Sequence, residues 1–223
     1  MPDLSARRPL KTRSSRWAAG LSRALLGMGL RPNFVSLMSV VFAAGTAASL
    51  FLLSSAHLPK TVFWILAATG VQLRLLCNLM DGMLAVEGGL KTPNGDLYNE
   101  FPDRLSDILI LASLGFAGSD EWSTTLGWLC ACGALTTACI RMHGASLLGS
   151  HDFRGPMAKP QRMAVVTFTC LTMAFLDSEN LPFNPVPWIL GVILTGIVIT
   201  VFRRLSHLSR ALKYRAEASK PEA

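Results

Sequence analysis

Six long apolar runs bounded by polar or basic residues constrain this chain more than any other feature. They fall at about Asn33–Ser54, Thr61–Ala85, Pro102–Ala117, Leu126–Ile140, Met163–Leu176 and Pro187–Phe202. Only 16% of the 223 residues are charged, against about a quarter in a soluble domain, and the deficit lies inside these runs. Such a pattern is written for a bilayer. It predicts an all-α polytopic membrane protein, a bundle of six transmembrane helices. The third and fifth runs reach the ~20 residues of a straight span only if their polar ends are counted. Polar ends at membrane depth are tolerated where they line an aqueous or ligand-filled cavity.

The net charge of +7 sits at the ends of the apolar runs. That placement reads as an orientation signal and as contact with anionic membrane lipids, not as nucleic-acid binding. Seven Lys or Arg precede the first run. Lys91 and Arg104 lie between the second and third, Arg141, Arg154, Lys159 and Arg162 between the fourth and fifth, and six follow the last. The opposite side has only Lys60, with Asp120, Glu121, Asp177 and Glu179. Both termini are therefore expected in the cytoplasm, and the protein in an inner (plasma) membrane. Three regions follow: residues 1–31, a basic arm with a short interfacial amphipathic helix around Trp17, Leu21, Leu25 and Leu26; residues 32–202, the six-span domain; and residues 203–223, a basic tail. The basic start is too long for the leading region of a signal peptide, and the run after it is span-length. The five cysteines have no zinc spacing and read as small apolar packing residues.

Ionisable residues inside spans are expensive and mark functional sites. Asn78 and Asp81 end the second run, three residues apart on one helix face; Asp103 and Asp107 begin the third, four apart. One loop joins the two helices, so three carboxylates and an amide are expected to converge at the cytoplasmic end. Such a group needs cations, and its all-oxygen character selects Mg²⁺ or Mn²⁺ over zinc. Gly82 allows close approach of a substrate to the backbone, and Ala85, one turn on, keeps that face open. Arg74 shares the face with Asn78, Asp81 and Ala85. It is expected about 10 Å deeper than Asp81, paired with a buried carboxylate or a lipid phosphate, or orienting the helices. Arg141, Lys159 and Arg162, with Arg154, read either as holders of a phosphate or as topology anchors.

The two acidic segments resemble the CDP-alcohol phosphotransferase family, whose pattern is D-x-x-D-G-x-x-A-R followed by G-x-x-x-D-x-x-x-D. This chain has Asn78, Asp81, Gly82, Ala85 and Val86, then Asn99, Asp103 and Asp107. Spacing within each half is kept. Asn78, Val86 and Asn99 depart from the pattern, and the spacer is a few residues longer. The resemblance covers most of the chain. It implies transfer of a phosphatidyl or other substituted phosphoryl group from a CDP-activated lipid donor to an alcohol acceptor, releasing CMP. It implies divalent ions on Asn78, Asp81, Asp103 and Asp107, with Asp107 also the general base, and a cytidine site lined by Gly82 and Ala85. Asn78 removes one negative charge, so weaker metal binding without substrate, or only one tightly held ion, is expected. A member that binds lipid or nucleotide without turnover is the alternative. Relatives of this fold are often homodimers, and Gly45, Ala47 and Ala48 are small enough to pack helices.

Overall fold

The computed structural model describes residues 15–54, 58–90, 92–176 and 183–218. Arg7, Arg8, Lys11, Arg13, Lys91, Asp177, Glu179 and Lys220 lie outside the described residues. Those described form seven α-helices and no strand: α1 (Arg16–Gly27), α2 (Pro32–Phe51), α3 (Lys60–Glu87), α4 (Gly95–Ala117), α5 (Glu121–Leu148), α6 (Lys159–Phe175) and α7 (Val186–Ala218), with a 3₁₀ turn (Leu52–Ser54) extending α2. Four helices, α2, α3, α5 and α7, are long and apolar enough to cross a membrane by length and composition. α4 carries Asp96, Glu100, Asp103, Arg104 and Asp107 between its start and its middle, and α6 has 17 residues.

The bundle is polar inside and apolar outside. Phe34, Leu37, Val41, Leu66, Phe168 and Trp188 are exposed, whereas Ser36, Ser39, Thr46, Ser106, Thr137 and Thr200 are buried, as are Arg74, Arg162 and Arg204. A soluble protein does not cover its surface with contiguous apolar area; this chain is an integral membrane protein whose outer face meets lipid. α2 packs on α3 and α4, α4 on α5, α5 on α7, α3 on α6, and a smaller α6–α7 contact closes the ring. α4 and α5 come nearly backbone to backbone at Gly115 and Gly127, where a Cβ on Gly115 would lie 2.9 Å from the Gly127 Cα.

Several boundaries differ from the sequence expectation. α4 starts two turns before Pro102, led by Asn94 and with Asp96 favourable in its first turn. Pro102 has no N–H for the turn behind it, but ion pairs from Glu100 and Asp103 tie that turn to α5 and α6. α5 runs on to Leu148. α7 reaches Ala218, so most of the expected tail is helix; at 33 residues it is about 50 Å long, well beyond a ~30 Å hydrocarbon core. Arg215 donates to the Leu147 carbonyl at 2.8 Å, closing the end of α5. α1 lays Ala18, Leu21, Leu25 and Leu26 against Leu79, Met80, Met83 and Leu84 of α3.

At the other end, Asp120 caps α5. It accepts from the Ser123 amide at 2.7 Å and the Ser123 hydroxyl at 2.6 Å, and Asn184 donates to it at 2.9 Å. The Ser123 hydroxyl, chiefly, holds this carboxyl below its ordinary range. A depressed folded pKa stabilises above the unfolded value and is lost as pH falls through the folded one. Asp120→Ala is thus expected to cost about 1 kcal/mol at neutral pH, with the gap to wild type narrowing in acid, as thermal melts at pH 7 and pH 3 would show.

Candidate active site

Asp81 and Asp103 meet a cavity of about 260 Å³ at one end of the ring, while Asp107 is buried behind its wall and does not line it. α3 contributes Asn78, Asp81 and Gly82 to its wall; α4 contributes Asn99, Glu100 and Asp103. Opposite stand Arg141 of α5, Lys159 and Arg162 of α6, and Arg204 of α7. A smaller cavity of about 50 Å³ adjoins it and is lined by Gly82 and Ala85 together with Ser36 of α2. Asp81 and Asn99 face both.

Each carboxylate has a distinct set of partners. Asp81 is buried; it accepts from the Ser36 hydroxyl at 2.7 Å through Oδ2, while its buried Oδ1 has no hydrogen-bond partner among the described residues. Asp103 accepts from the Asn78 amide at 2.7 Å through Oδ1 and pairs with Lys159 through Oδ2. Asp107 is held between two guanidiniums. Arg74 donates to Oδ1 at 2.6 Å and Arg162 to Oδ2 at 2.8 Å. Arg74 also donates to the Asp103 carbonyl at 3.3 Å. Of the alternatives for Arg74, pairing with a buried carboxylate is the one observed, and the depth argument accounts for it: Asp107 lies one turn deeper than Asp103.

The arrangement differs from the expected one in three respects. Among the described residues, no group of three or more His, Cys, Asp or Glu side chains is arranged to hold a metal ion. Asp81, Asp103 and Asp107 do not form one open acidic cluster, because Arg74, Arg162 and Lys159 are interleaved with them. Asn78, expected as an oxygen ligand, turns its amide nitrogen to Asp103. Arg141 is not open to a phosphate in this arrangement. Its Nη2 lies 2.6 Å from both Glu100 oxygens, its Nη1 3.1 Å from His151 Nδ1, and Phe153 stacks below it. Burial first, and then the Arg141 charge, push His151 below the ordinary imidazole range. A neutral ring can accept the Arg141 N–H.

The donor set fits a hard divalent ion at one place, Asp81 Oδ1, a buried carboxylate oxygen with no partner beside the cavity. Asp103 lines the same cavity, with Lys159 on its Oδ2. The chemistry is right for Mg²⁺ or Mn²⁺, whereas a pair of ions shared by all three carboxylates does not fit the residues as they stand.

Ser36, Glu100 and Arg204 were missed in the sequence. Arg204 bonds the Thr137 and Arg154 carbonyls at 2.7 and 2.9 Å and had been counted with the tail. Ser36 lay within an apolar run and carried no signal. Glu100 had one: it is three residues before Asp103 and four before Arg104, on the acidic face. Gly155, at φ +123°, brings the loop before α6 onto Thr200 of α7; a Cβ there would sit 2.6 Å from the Thr200 hydroxyl.

No family model matches the chain. A phosphatidylinositol phosphate synthase of Mycolicibacterium smegmatis is 28% identical over 193 residues, 83% of this chain and 80% of the relative. The fold matches crystal structures of the Mycobacterium tuberculosis phosphatidylinositol phosphate synthase. With CDP-DAG bound, that enzyme superposes with a TM-score of 0.70 at 21% identity, over 87% of this chain and 94% of the other. With manganese and citrate, the values are 0.69, 21%, 86% and 88%. The matched fold, the matched length and the two-part acidic pattern make this chain similar to these phosphatidylinositol phosphate synthases, whose fold it shares.

Proposed function

We propose that the chain is a membrane phosphatidyltransferase that moves a phosphatidyl group from a CDP-linked lipid donor to an alcohol in phospholipid synthesis, with CMP as the leaving group. The observation that carries this reading is Asp81, buried with one unpartnered oxygen, facing a cavity whose far wall is cationic. An activated lipid diphosphate needs that pairing: acidic oxygens to hold a divalent ion and fixed cations to hold phosphate. A divalent ion on Asp81 and Asp103 would offset the diphosphate charge and make CMP a better leaving group. Gly82 and Ala85 leave room for the cytidine end. Lys159 and Arg162 turn from Asp103 and Asp107 to a phosphate in the cavity. Asp107 Oδ2 is then free to take the proton of the acceptor hydroxyl. The acceptor oxygen bonds to the lipid-bearing phosphorus as its bond to the CMP oxygen breaks.

The same reading takes α4 and α6 as spans that complete six, α1 as an interfacial helix, and the cavity end as cytoplasmic. α1 supports this with Arg16, Arg23 and Trp17 directed away from α3. Gly45 and Ala48 face outward, where a second copy of the chain could pack, while Ala47 is buried within the bundle.

The test is CMP release by the purified chain in detergent, supplied with CDP-diacylglycerol, Mn²⁺ and a panel of alcohols including inositol phosphate and glycerol phosphate. Release with one acceptor well above the others is expected. Absence of release with every acceptor would sink the transferase. A second reading, binding without turnover, is favoured by the two guanidiniums on Asp107. It predicts retention of CDP-diacylglycerol with no CMP formed.

A further inference from the structure

Arg141 stands in an anion position that the chain fills with its own carboxylate. Its Nη2 lies 2.6 Å from both Glu100 oxygens and its Nη1 3.1 Å from His151 Nδ1, and its guanidinium covers the Phe153 ring at 5.8 Å. Arg104, one turn on from Glu100 along α4, pairs with the same carboxylate. One anion with its oxygens held between two guanidiniums is the arrangement in which arginines bind phosphate. Here the anion is a side chain. Glu100, Arg104, Arg141 and Phe153 all line the cavity, so the carboxylate lies where a charged ligand would otherwise meet the arginines.

The other cations around the cavity have partners too. Lys159 pairs with Asp103 and Arg162 with Asp107. Arg204 donates to the Thr137 and Arg154 carbonyls. Lys159 and Arg162 are the two that the transferase reading gives to the donor's diphosphate. A second phosphate, carried by the acceptor, has to take Arg141 and Arg104 from Glu100. That trade replaces one anion by another on the same two guanidiniums. It also turns Glu100 away from them at a place where Arg141, Arg104 and Glu100 are only 14, 17 and 26% exposed. Only the surplus over those costs appears as binding. An uncharged hydroxyl compound meets no such competition. Among the described residues Glu100 Oε1 receives Arg141 alone, and a carboxylate oxygen has a second lone pair for an acceptor hydroxyl.

We infer that Glu100 is a specificity-determining residue: by filling the anion position on Arg141 it selects an uncharged polyhydroxyl acceptor over one that carries a phosphate monoester. As a statement about an acceptor this rests on the transferase reading; the occupancy of Arg141 by Glu100 does not.

Inorganic phosphate, titrated calorimetrically into the purified full chain in detergent at neutral pH, reads the anion position without turnover. Arg141→Gln is expected to bind phosphate as wild type does, because Arg141 is already occupied. Glu100→Gln is expected to bind it about tenfold tighter or more, and the double variant to fall back to the wild-type value. Weaker binding in Arg141→Gln alone would mean that phosphate reaches Arg141 past Glu100, and would overturn the assignment. Unchanged binding in Glu100→Gln would overturn it as well, so either single variant decides should the other fail to fold. CMP release on the same preparations then compares glycerol with glycerol phosphate and inositol with inositol phosphate. Wild type is expected to show the lower KM for the uncharged member of the productive pair, and Glu100→Gln to reverse that order. A merely structural Glu100 would lower kcat for both members and leave their KM ratio alone. A wild-type preference for the phosphate member removes the selectivity. No release with any acceptor removes the transferase reading, and the phosphate titration still decides what occupies Arg141.

Discussion

Replacing Asp107 by alanine is expected to destabilise the folded chain by about 3–5 kcal/mol, the cost of leaving a buried charge without its partner. For a chain of this length that is a fall in midpoint of roughly 6–20 °C. The reason is the burial of Arg74 and Arg162 on either side of that carboxylate. Arg162 has other acceptors, the Met157 carbonyl at 3.0 Å and the Thr137 hydroxyl at 3.3 Å. Among the described residues, Arg74 has otherwise the Asp103 carbonyl and a distant carboxylate. The deficit therefore falls mainly on Arg74, and Arg74→Met in the Asp107→Ala background should recover a good part of it, because coupled residues are not additive. Thermal melts of the four proteins in detergent give the cycle. A midpoint for Asp107→Ala within about 2 °C of wild type would mean the pairing contributes little. Loss of CMP release in this variant would not by itself identify a base, since a loosened helix pair would stop turnover as well.

How much of this was legible in the sequence depends on what kind of fact each residue expresses. The membrane class was open to reading because lipid demands apolar exteriors over whole helix lengths. That Asn78 and Asp103 approach one region followed from spacing alone, since residues three and four apart share a helix face and one loop joins the two helices; that Asn78 donates to Asp103 did not. The depth of Arg74 was legible for the same reason. The state of the acidic site was not. Spacing shows that Asp81, Asp103 and Asp107 approach one region; it does not show that α6, more than fifty residues later, inserts Lys159 and Arg162 between them. The partner of Arg141 was hidden likewise, because Glu100 was assigned to a loop that proved to be the first turns of α4. The helical continuation of α7 past Phe202 was obscured by its basic residues. Those charges mark where the chain leaves the hydrocarbon and say nothing about where the helix ends.

Asp81→Asn is expected to separate chemistry from folding in the opposite sense to Asp107→Ala. Asp81 accepts from the Ser36 hydroxyl and the Gly82 backbone N–H, and its buried Oδ1 has no hydrogen-bond partner among the described residues. A buried carboxylate so poorly satisfied destabilises the fold that contains it. Its isosteric amide keeps an acceptor for Ser36 and removes the charge, so the thermal midpoint should stay level or rise. Turnover should fall by about 10²–10³, the several kcal/mol that a well-held divalent ion contributes to charge stabilisation in a transition state. The fall should be in kcat/KM for the CDP-linked donor, because Asp81 lines the cavity beside Gly82, where the proposed nucleotide end lies. Steady-state rates at varied donor concentration, with melts on the same preparations, measure both. A carboxylate kept for stability would give the reverse, a lower midpoint with turnover reduced only in proportion to the folded fraction. That result would leave the cavity without its acidic wall and remove the physical basis for placing a diphosphate there. A stable protein that has lost turnover would instead show that an unfavourable buried charge is retained for what it binds.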